Sequence, residues 1–136
     1  MLENPKINVK IKLAALWTSV TLCYLYGDYF ELYTPDKVNS LISGENNLNS
    51  PMKLLIASII LSISSIMVAA SIIIKPKINR ILSIIFGSLF TIMMAIIGFF
   101  LTHEWYLFYV FLAFLESVLT ALIVWYAWKW PKKIGC

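Results

Sequence analysis

The sequence predicts an all-α integral membrane protein: a four-helix bundle with a short amphipathic helix in its first outer loop. Of the 136 residues, 60% are hydrophobic and 13% are charged, whereas soluble domains are usually about half apolar and a quarter charged. Segments 54–74 and 81–101 contain no charged residue, and each is long enough to cross the hydrocarbon core as a helix. So short a chain cannot bury this much apolar surface in water, which favours a bilayer location.

We predict one membrane domain over residues 1–136, with spans at about 13–33, 52–74, 80–101 and 105–128. The first span has the weakest signal, because its uncharged part ends at Gly27. A helix over 13–27 would be about 22 Å long, which is short for a membrane crossing. We therefore expect the first helix to continue through Tyr33.

Proline positions predict the remaining boundaries. Ser50 is a good N-cap before Pro51, which suits the first position of a helix. Pro76 is expected to end the second span. In the first outer loop, Thr34 precedes a proline in the same way, and residues 35–43 have apolar side chains at helical spacing. This pattern predicts a short amphipathic helix on the outer surface.

The basic residues predict the orientation. They cluster before the first span, between the second and third spans, and after the fourth, whereas the turn 102–104 has none. These residues are Lys6, Lys10, Lys12, Lys75, Lys77, Arg80, Lys129, Lys132 and Lys133. The positive-inside rule then places both termini in the cytoplasm, with the protein in the plasma (inner) membrane. The net charge of +4 follows from this bias, so no nucleic-acid partner is expected.

Two stripes of small residues predict where helices pack, because close approach drives helix association in lipid. The stripe of the second span contains Ser58, Ser62, Ser65 and Ala69, and that of the third contains Ser83, Gly87, Thr91 and Gly98. We expect both stripes to contact other helices. Besides the lipid bilayer, the expected partners are a second copy of the chain or a larger membrane protein.

Two carboxyl groups are predicted to lie within the membrane. Glu116 falls near the middle of the fourth span, and Asp28 lies nearer the outer end of the first. A carboxylate at such depth costs at least ~2.5 kcal/mol on insertion scales, so it should face the bundle interior and find partners. Tyr24 is the expected hydrogen-bond partner of Glu116. The sequence thus predicts an acidic, tyrosine-lined pocket that opens to the outer side.

The complete set of predicted binding residues is larger. Ligand or proton binding is assigned to Tyr24, Asp28, Glu31, Tyr109, Glu116 and Thr120, and the pocket mouth to His103 and Glu104. No metal site or cofactor is expected, because the spacing around the one histidine matches no standard set of ligands. Cys23 and Cys136 are not expected to pair, since Cys23 lies within a span and Cys136 is predicted to be cytoplasmic.

The first-helix segment "YLYGDYFELYTP" resembles a group of small bacterial membrane proteins of unknown function. The residues that support the resemblance are Tyr24, Tyr26, Asp28, Leu32, Tyr33 and Pro35. In size and topology the chain is also loosely similar to DoxX-like four-helix proteins. These resemblances imply a fold and a membrane location, but they do not imply an activity.

Three hypotheses about function follow. The first is binding of a small molecule or cation/proton in the acidic pocket, for transport or sensing, and the second is a non-catalytic assembly or interaction subunit of a membrane complex. The third is a membrane enzyme acting on lipid or quinone, for which the sequence offers no nucleophile or metal motif. For Glu116 an alternative stays open: it is a protonated structural residue that joins helices through hydrogen bonds.

Overall fold

The computed structural model describes residues 2–45 and 48–131, which form five α-helices and no strand. The helices are α1 (Val9–Glu31), α2 (Lys37–Ser43), α3 (Pro51–Ile73), α4 (Pro76–Phe100) and α5 (Leu107–Trp128). A 3-10 turn, Glu104–Tyr106, precedes α5. Three segments within the described ranges, Pro51–Ile73, Pro76–Phe100 and Glu104–Trp128, are long and apolar enough to cross a membrane. The all-helical prediction is confirmed, and these spans support a membrane protein. Cys136 lies outside the described residues.

Local chemistry explains most helix ends. Asn8 caps α1 by accepting a hydrogen bond from the backbone N–H of Lys10 at 2.9 Å. Ser50 caps α3 through the N–H of Lys53 at 3.1 Å, with proline in the first turn, as predicted. α3 ends at Ile73, just before Pro76, as predicted, but Pro76 also opens α4, which begins earlier than the predicted start near residue 80. Proline fits there because the first residue of a helix needs no N–H donor.

The short surface helix is present, but it begins at Lys37 rather than at 35. Thr34 does not cap it, since its hydroxyl instead donates to the carbonyl of Glu31 at 2.7 Å. Asp36, the residue before α2, has a left-handed backbone conformation with a φ of 64°. The apolar side chains of Val38 and Ile42 are exposed.

The four long helices do not pack as a closed ring. α1 packs against both α3 and α5, and α5 also packs along α4. α3 and α4 barely touch, although they are consecutive in the chain. One direct hydrogen bond crosses between them near their shared turn, from Asn79 Nδ2 to the carbonyl of Ser71 at 2.7 Å. The bundle is therefore packed on three sides and open between α3 and α4.

The two ends of the bundle differ in packing. We call the end that carries α2 and the Glu104–Tyr106 turn the α2 end, and the opposite end, with the α3–α4 turn, the Pro76 end. At the α2 end, residues 51–56 of α3 are all exposed. Phe99 and Phe100, at the same end of α4, are 81% and 73% exposed. The first residues of α3 and the last residues of α4 thus contact little other protein, whereas Phe90 and Met94, farther along α4, are buried.

The small-residue stripe of α4 does mediate packing. Ser83 and Gly87 are buried, and a Cβ at Gly87 would lie only 2.8 Å from Val124 Cγ2 of α5. The close approach of α4 and α5 therefore requires glycine at this position.

The stripe predicted for α3 was assigned to the wrong face. Ser58, Ser65 and Ala69 are exposed, and the Ser58 hydroxyl donates to the carbonyl of Leu54 in its own helix. The buried residues of α3 are instead Ser64, Met67, Ala70 and Ser71. A serine that bonds to its own backbone needs no partner helix, so serine spacing alone does not identify the packed face.

Candidate binding cavity

A cavity of about 230 Å³ lies in the α2-end half of the bundle, with walls from all four long helices. The ionisable groups of its lining come from α1 and α5: the carboxyl groups of Asp28 and Glu116 and the hydroxyl groups of Tyr24 and Tyr109. α3 and α4 contribute apolar side chains, namely Ala57, Ile60, Leu61, Met93, Met94 and Ile97. None of the described lining residues is basic.

Glu116 is the most deeply placed carboxyl group of this cavity. It lies nine positions from the start of α5, about 14 Å along the helix axis. The residue is only 2% exposed, and its Oε2 has no hydrogen-bond partner within the described part of the chain. An unpaired buried carboxyl oxygen costs free energy, because it has left water without gaining a replacement donor. Glu116 Oε2 is thus a covered acceptor without a donor in the described ranges, on a residue that lines the cavity.

Tyr24 lines the same cavity from α1. It is 9% exposed, and its hydroxyl group also lacks a hydrogen-bond partner among residues 2–45 and 48–131. The expected hydrogen bond between Tyr24 and Glu116 is therefore not formed. The Tyr24 ring instead packs against Phe90 of α4, with ring centroids 5.7 Å apart, and this packing fixes the direction of the hydroxyl group. The hydrogen bond was predicted because the two residues lie at the same depth along their helices. Depth does not determine the direction in which each side chain points.

Asp28 lies one helical turn above Tyr24, on the way to the α2 end. It lines the cavity but remains exposed, so it occupies the more open part of the site. Glu116 lines the same cavity from α5. Gly27 beside it leaves space for Tyr109, whose Cε2 would lie 3.6 Å from a Cβ at that position.

Two predicted binding residues have other partners. Thr120 lies one turn below Glu116 and accepts a hydrogen bond from Thr91 at 2.6 Å, which joins α5 to α4. Glu31 forms an ion pair with Lys37 at 3.0 Å, and its Oε1 accepts a hydrogen bond from the Tyr106 hydroxyl at 3.4 Å. Neither Thr120 nor Glu31 lines the cavity.

The predicted mouth residues also lie apart from the cavity lining. His103 and Glu104 are exposed, and His103 Nδ1 accepts a hydrogen bond from the backbone N–H of Trp105 at 3.2 Å. His103 therefore caps the Glu104–Tyr106 turn that precedes α5, and Glu104 is the first residue of that turn. In the described ranges, no three His, Cys, Asp or Glu side chains cluster as metal ligands.

Sequence reasoning missed the apolar wall of the cavity. Met93 and Met94 are adjacent on α4, and Ile60 and Leu61 are adjacent on α3. Such residues look the same in sequence whether they face lipid, another helix or a cavity. The methionine pair is the sequence feature that best indicates a cavity wall, because unbranched thioether side chains adapt to irregular apolar spaces.

Comparison with known proteins adds a family but no activity. Neither a curated protein nor a solved structure matches the chain. The similarity to DoxX-like proteins stays a prediction. One family model, described as a family of unknown function, DUF6326, matches residues 4–135. This match includes every residue of the cavity, and the chain therefore belongs to the family DUF6326.

Proposed function

We propose that the protein binds a small molecule or cation in the cavity between its long helices. Asp28 and Glu116 provide the negative charge, and Tyr24 and Tyr109 provide hydroxyl groups that orient the ligand. The observation that supports this most is the unpaired, buried Oε2 of Glu116 in a cavity whose described lining includes no basic side chain. A cation or a hydrogen-bond donor would supply the partner that the fold does not.

The membrane setting belongs to the same proposal. With α1 as a fourth span and both termini in the cytoplasm, the Pro76 end faces the cytoplasm and the cavity lies in the outer half of the bilayer. The distribution of lysine and arginine supports this orientation. Transport or sensing would then begin with binding from the outer side, and a proton would compete with a cation for the same carboxyl groups.

Ligand-induced stabilisation of the purified full chain in detergent tests this function. The probes are chloride salts of sodium, methylammonium and hexylammonium, compared at constant ionic strength. A cation present at ten times its dissociation constant should stabilise the folded state by about 1.4 kcal/mol. We expect at least one of these cations to raise the unfolding temperature of the wild type.

Matched variants identify the site. Asp28→Asn and Glu116→Gln should lose the stabilisation, because each removes a charge from the cavity. Glu104→Gln makes the same chemical change at an exposed carboxyl group outside the lining, so it should respond like the wild type. The proposal is wrong if none of the three cations stabilises the protein, or if all four proteins respond equally.

A second candidate function is an assembly or interaction subunit. It is favoured by the open side of the bundle and by the exposed residues 51–56 of α3. A helix of a second copy or of a larger membrane protein would fit between α3 and α4. Crosslinking in native membranes distinguishes this function, because it should give one abundant partner band that includes α3.

A further inference from the structure

The cavity is amphipathic, and its two sides select for different parts of a ligand. The α1 and α5 side carries two carboxyl and two tyrosine hydroxyl groups, whereas α3 and α4 present hydrocarbon and thioether side chains. Calcium and magnesium ions prefer six or more oxygen ligands, and the apolar side offers none. A ligand that matches both sides needs a cationic head and an apolar body.

The apolar side is also the side that the bundle leaves open. α3 and α4 barely touch, and Ile60, which lines the cavity from α3, is still 42% exposed. In a bilayer the space between these two helices is continuous with the hydrocarbon of the lipid tails. The side chains of Ile60 on α3 and of Met93 and Ile97 on α4 form the cavity wall on this side.

Building on the proposed function, we propose that the ligand is a lipophilic amine that reaches the cavity from the bilayer between α3 and α4. Its ammonium group lies between the carboxyl groups of Asp28 and Glu116, and its apolar body lies against α3 and α4. An ammonium group has three N–H donors and no acceptor. It would therefore donate to the carboxyl groups of Asp28 and Glu116, which line the cavity beside Tyr24. Glu116 Oε2 and the Tyr24 hydroxyl have no partner in the described chain, although both atoms are almost fully covered.

A series of primary alkylammonium chlorides, from methyl to hexyl, tests the class of ligand on the purified full chain. Affinity, taken from the concentration dependence of thermal stabilisation, should rise about three- to fourfold per methylene group. Hexanol and sodium hexanoate have similar tails without the ammonium group, and they should not stabilise the protein, when sodium hexanoate is compared with sodium chloride at the same concentration. Asp28→Asn and Glu116→Gln should weaken hexylammonium binding at least tenfold.

A pair of alanine variants tests the placement of the apolar body by affinity and the route by the rate of hexylammonium binding. Ala57 is half-buried in the cavity wall on α3, whereas Ala95 of α4 is exposed and outside the lining. Ala57→Phe should weaken hexylammonium binding at least tenfold while methylammonium binding stays unchanged. Ala95→Phe adds the same bulk away from the cavity and should bind hexylammonium like the wild type.

The outcomes distinguish the proposed function, binding of a cation or small molecule in the cavity, from the inference that the ligand is a lipophilic amine. If methylammonium or sodium binds as tightly as hexylammonium and depends on both carboxyl groups, the lipophilic amine is wrong and the proposed function stands. If hexanol binds as tightly as hexylammonium, the ammonium assignment is wrong. Unchanged hexylammonium affinity for Ala57→Phe overturns the placement of the apolar body against α3, and an unchanged association rate overturns the path between α3 and α4. If none of these cations binds, both proposals fail.

Discussion

The two ends of the bundle use buried polar groups in different ways. At the Pro76 end, Asn79 is 1% exposed, donates to the carbonyl of Ser71 and accepts from the Ser83 hydroxyl at 3.3 Å. Towards the α2 end, the carboxyl group of Glu116 and the hydroxyl group of Tyr24 are buried without partners in the described chain. Asn79 therefore joins α4 to α3 at the Pro76 end, whereas Glu116 Oε2 and the Tyr24 hydroxyl join no helices in the described chain. Trp17 Nε1 of α1 is a third buried group without a partner there.

Helix termini show the same contrast. Arg80 of α4 donates through Nε to the carbonyl of Ala127 at 3.0 Å, which satisfies a backbone acceptor at the end of α5 and places a positive charge there. At the α2 end, by contrast, each of residues 51–56 at the start of α3 is exposed. We expect residues 51–56 of α3 and the last residues of α4 to open more readily than the Pro76 end, because they have few protein contacts to lose.

The largest expected effect is that of Gly87→Ala. Its new Cβ would lie 2.8 Å from Val124 Cγ2 and 3.4 Å from the backbone oxygen of Thr120, so α4 and α5 would have to move apart. We expect a loss of about 1–3 kcal/mol in the free energy of unfolding, measured by denaturation in detergent. Gly27→Ala is the matched control, because its Cβ would meet nothing closer than 3.6 Å. Equal losses for both variants would contradict the difference in packing.

Asn79→Ala should have the next largest effect. It removes the hydrogen bond that joins α4 to α3 beside their turn and leaves a void in a buried position. A loss of about 1–2 kcal/mol is expected from interhelical polar contacts in membrane proteins. Asn49→Ala changes the same residue type at an exposed position and should have little effect. A neutral Asn79→Ala would show that the Pro76 end does not depend on this contact.

Glu116→Leu should have the opposite sign and stabilise the protein. Leucine removes a buried acceptor that has no partner, so the free energy of unfolding should rise by about 1 kcal/mol. This variant separates the two interpretations of Glu116 that the sequence leaves open. A structural residue that joins helices through its carboxyl group would instead make Glu116→Leu destabilising. Denaturation of the variant and the wild type without added cation measures the difference.

The sequence predicts where the helices lie along the chain better than it predicts which helices pack against each other. Charge-free segments identify α3 and α4 because only an apolar helix of that length suits a hydrocarbon core. Gly87 was correctly predicted to mediate packing, since glycine on a membrane helix offers little except close approach. The serine stripe of α3 failed because α3 lies at the edge of the bundle, and its packed face depends on where α1 lies.

The same limit applies to the cavity. The cost of burying a carboxyl group singles out Glu116 and predicts that it faces inward. Tyr24, Asp28 and Tyr109 could be placed near it from helix periodicity. The walls formed by Ile60 and Met93 could not be predicted, because the open side between α3 and α4 is a property of the whole arrangement. Whether a polar group finds a partner likewise depends on distances that periodicity does not give.

The smallest expected effect tests whether charge pairing compensates for the looser packing at the α2 end. Lys37 Nζ lies 3.0 Å from Glu31 Oε1 and joins α2 to the end of α1, with both side chains about a quarter exposed. Such pairs contribute about 0–1 kcal/mol, and salt screens them. Lys37→Ala should therefore lower the free energy of unfolding by about 0.5 kcal/mol in low salt, and by less in high salt. A loss larger than that of Gly87→Ala would mean that one ion pair stabilises the α2 end more than close helix packing stabilises the other.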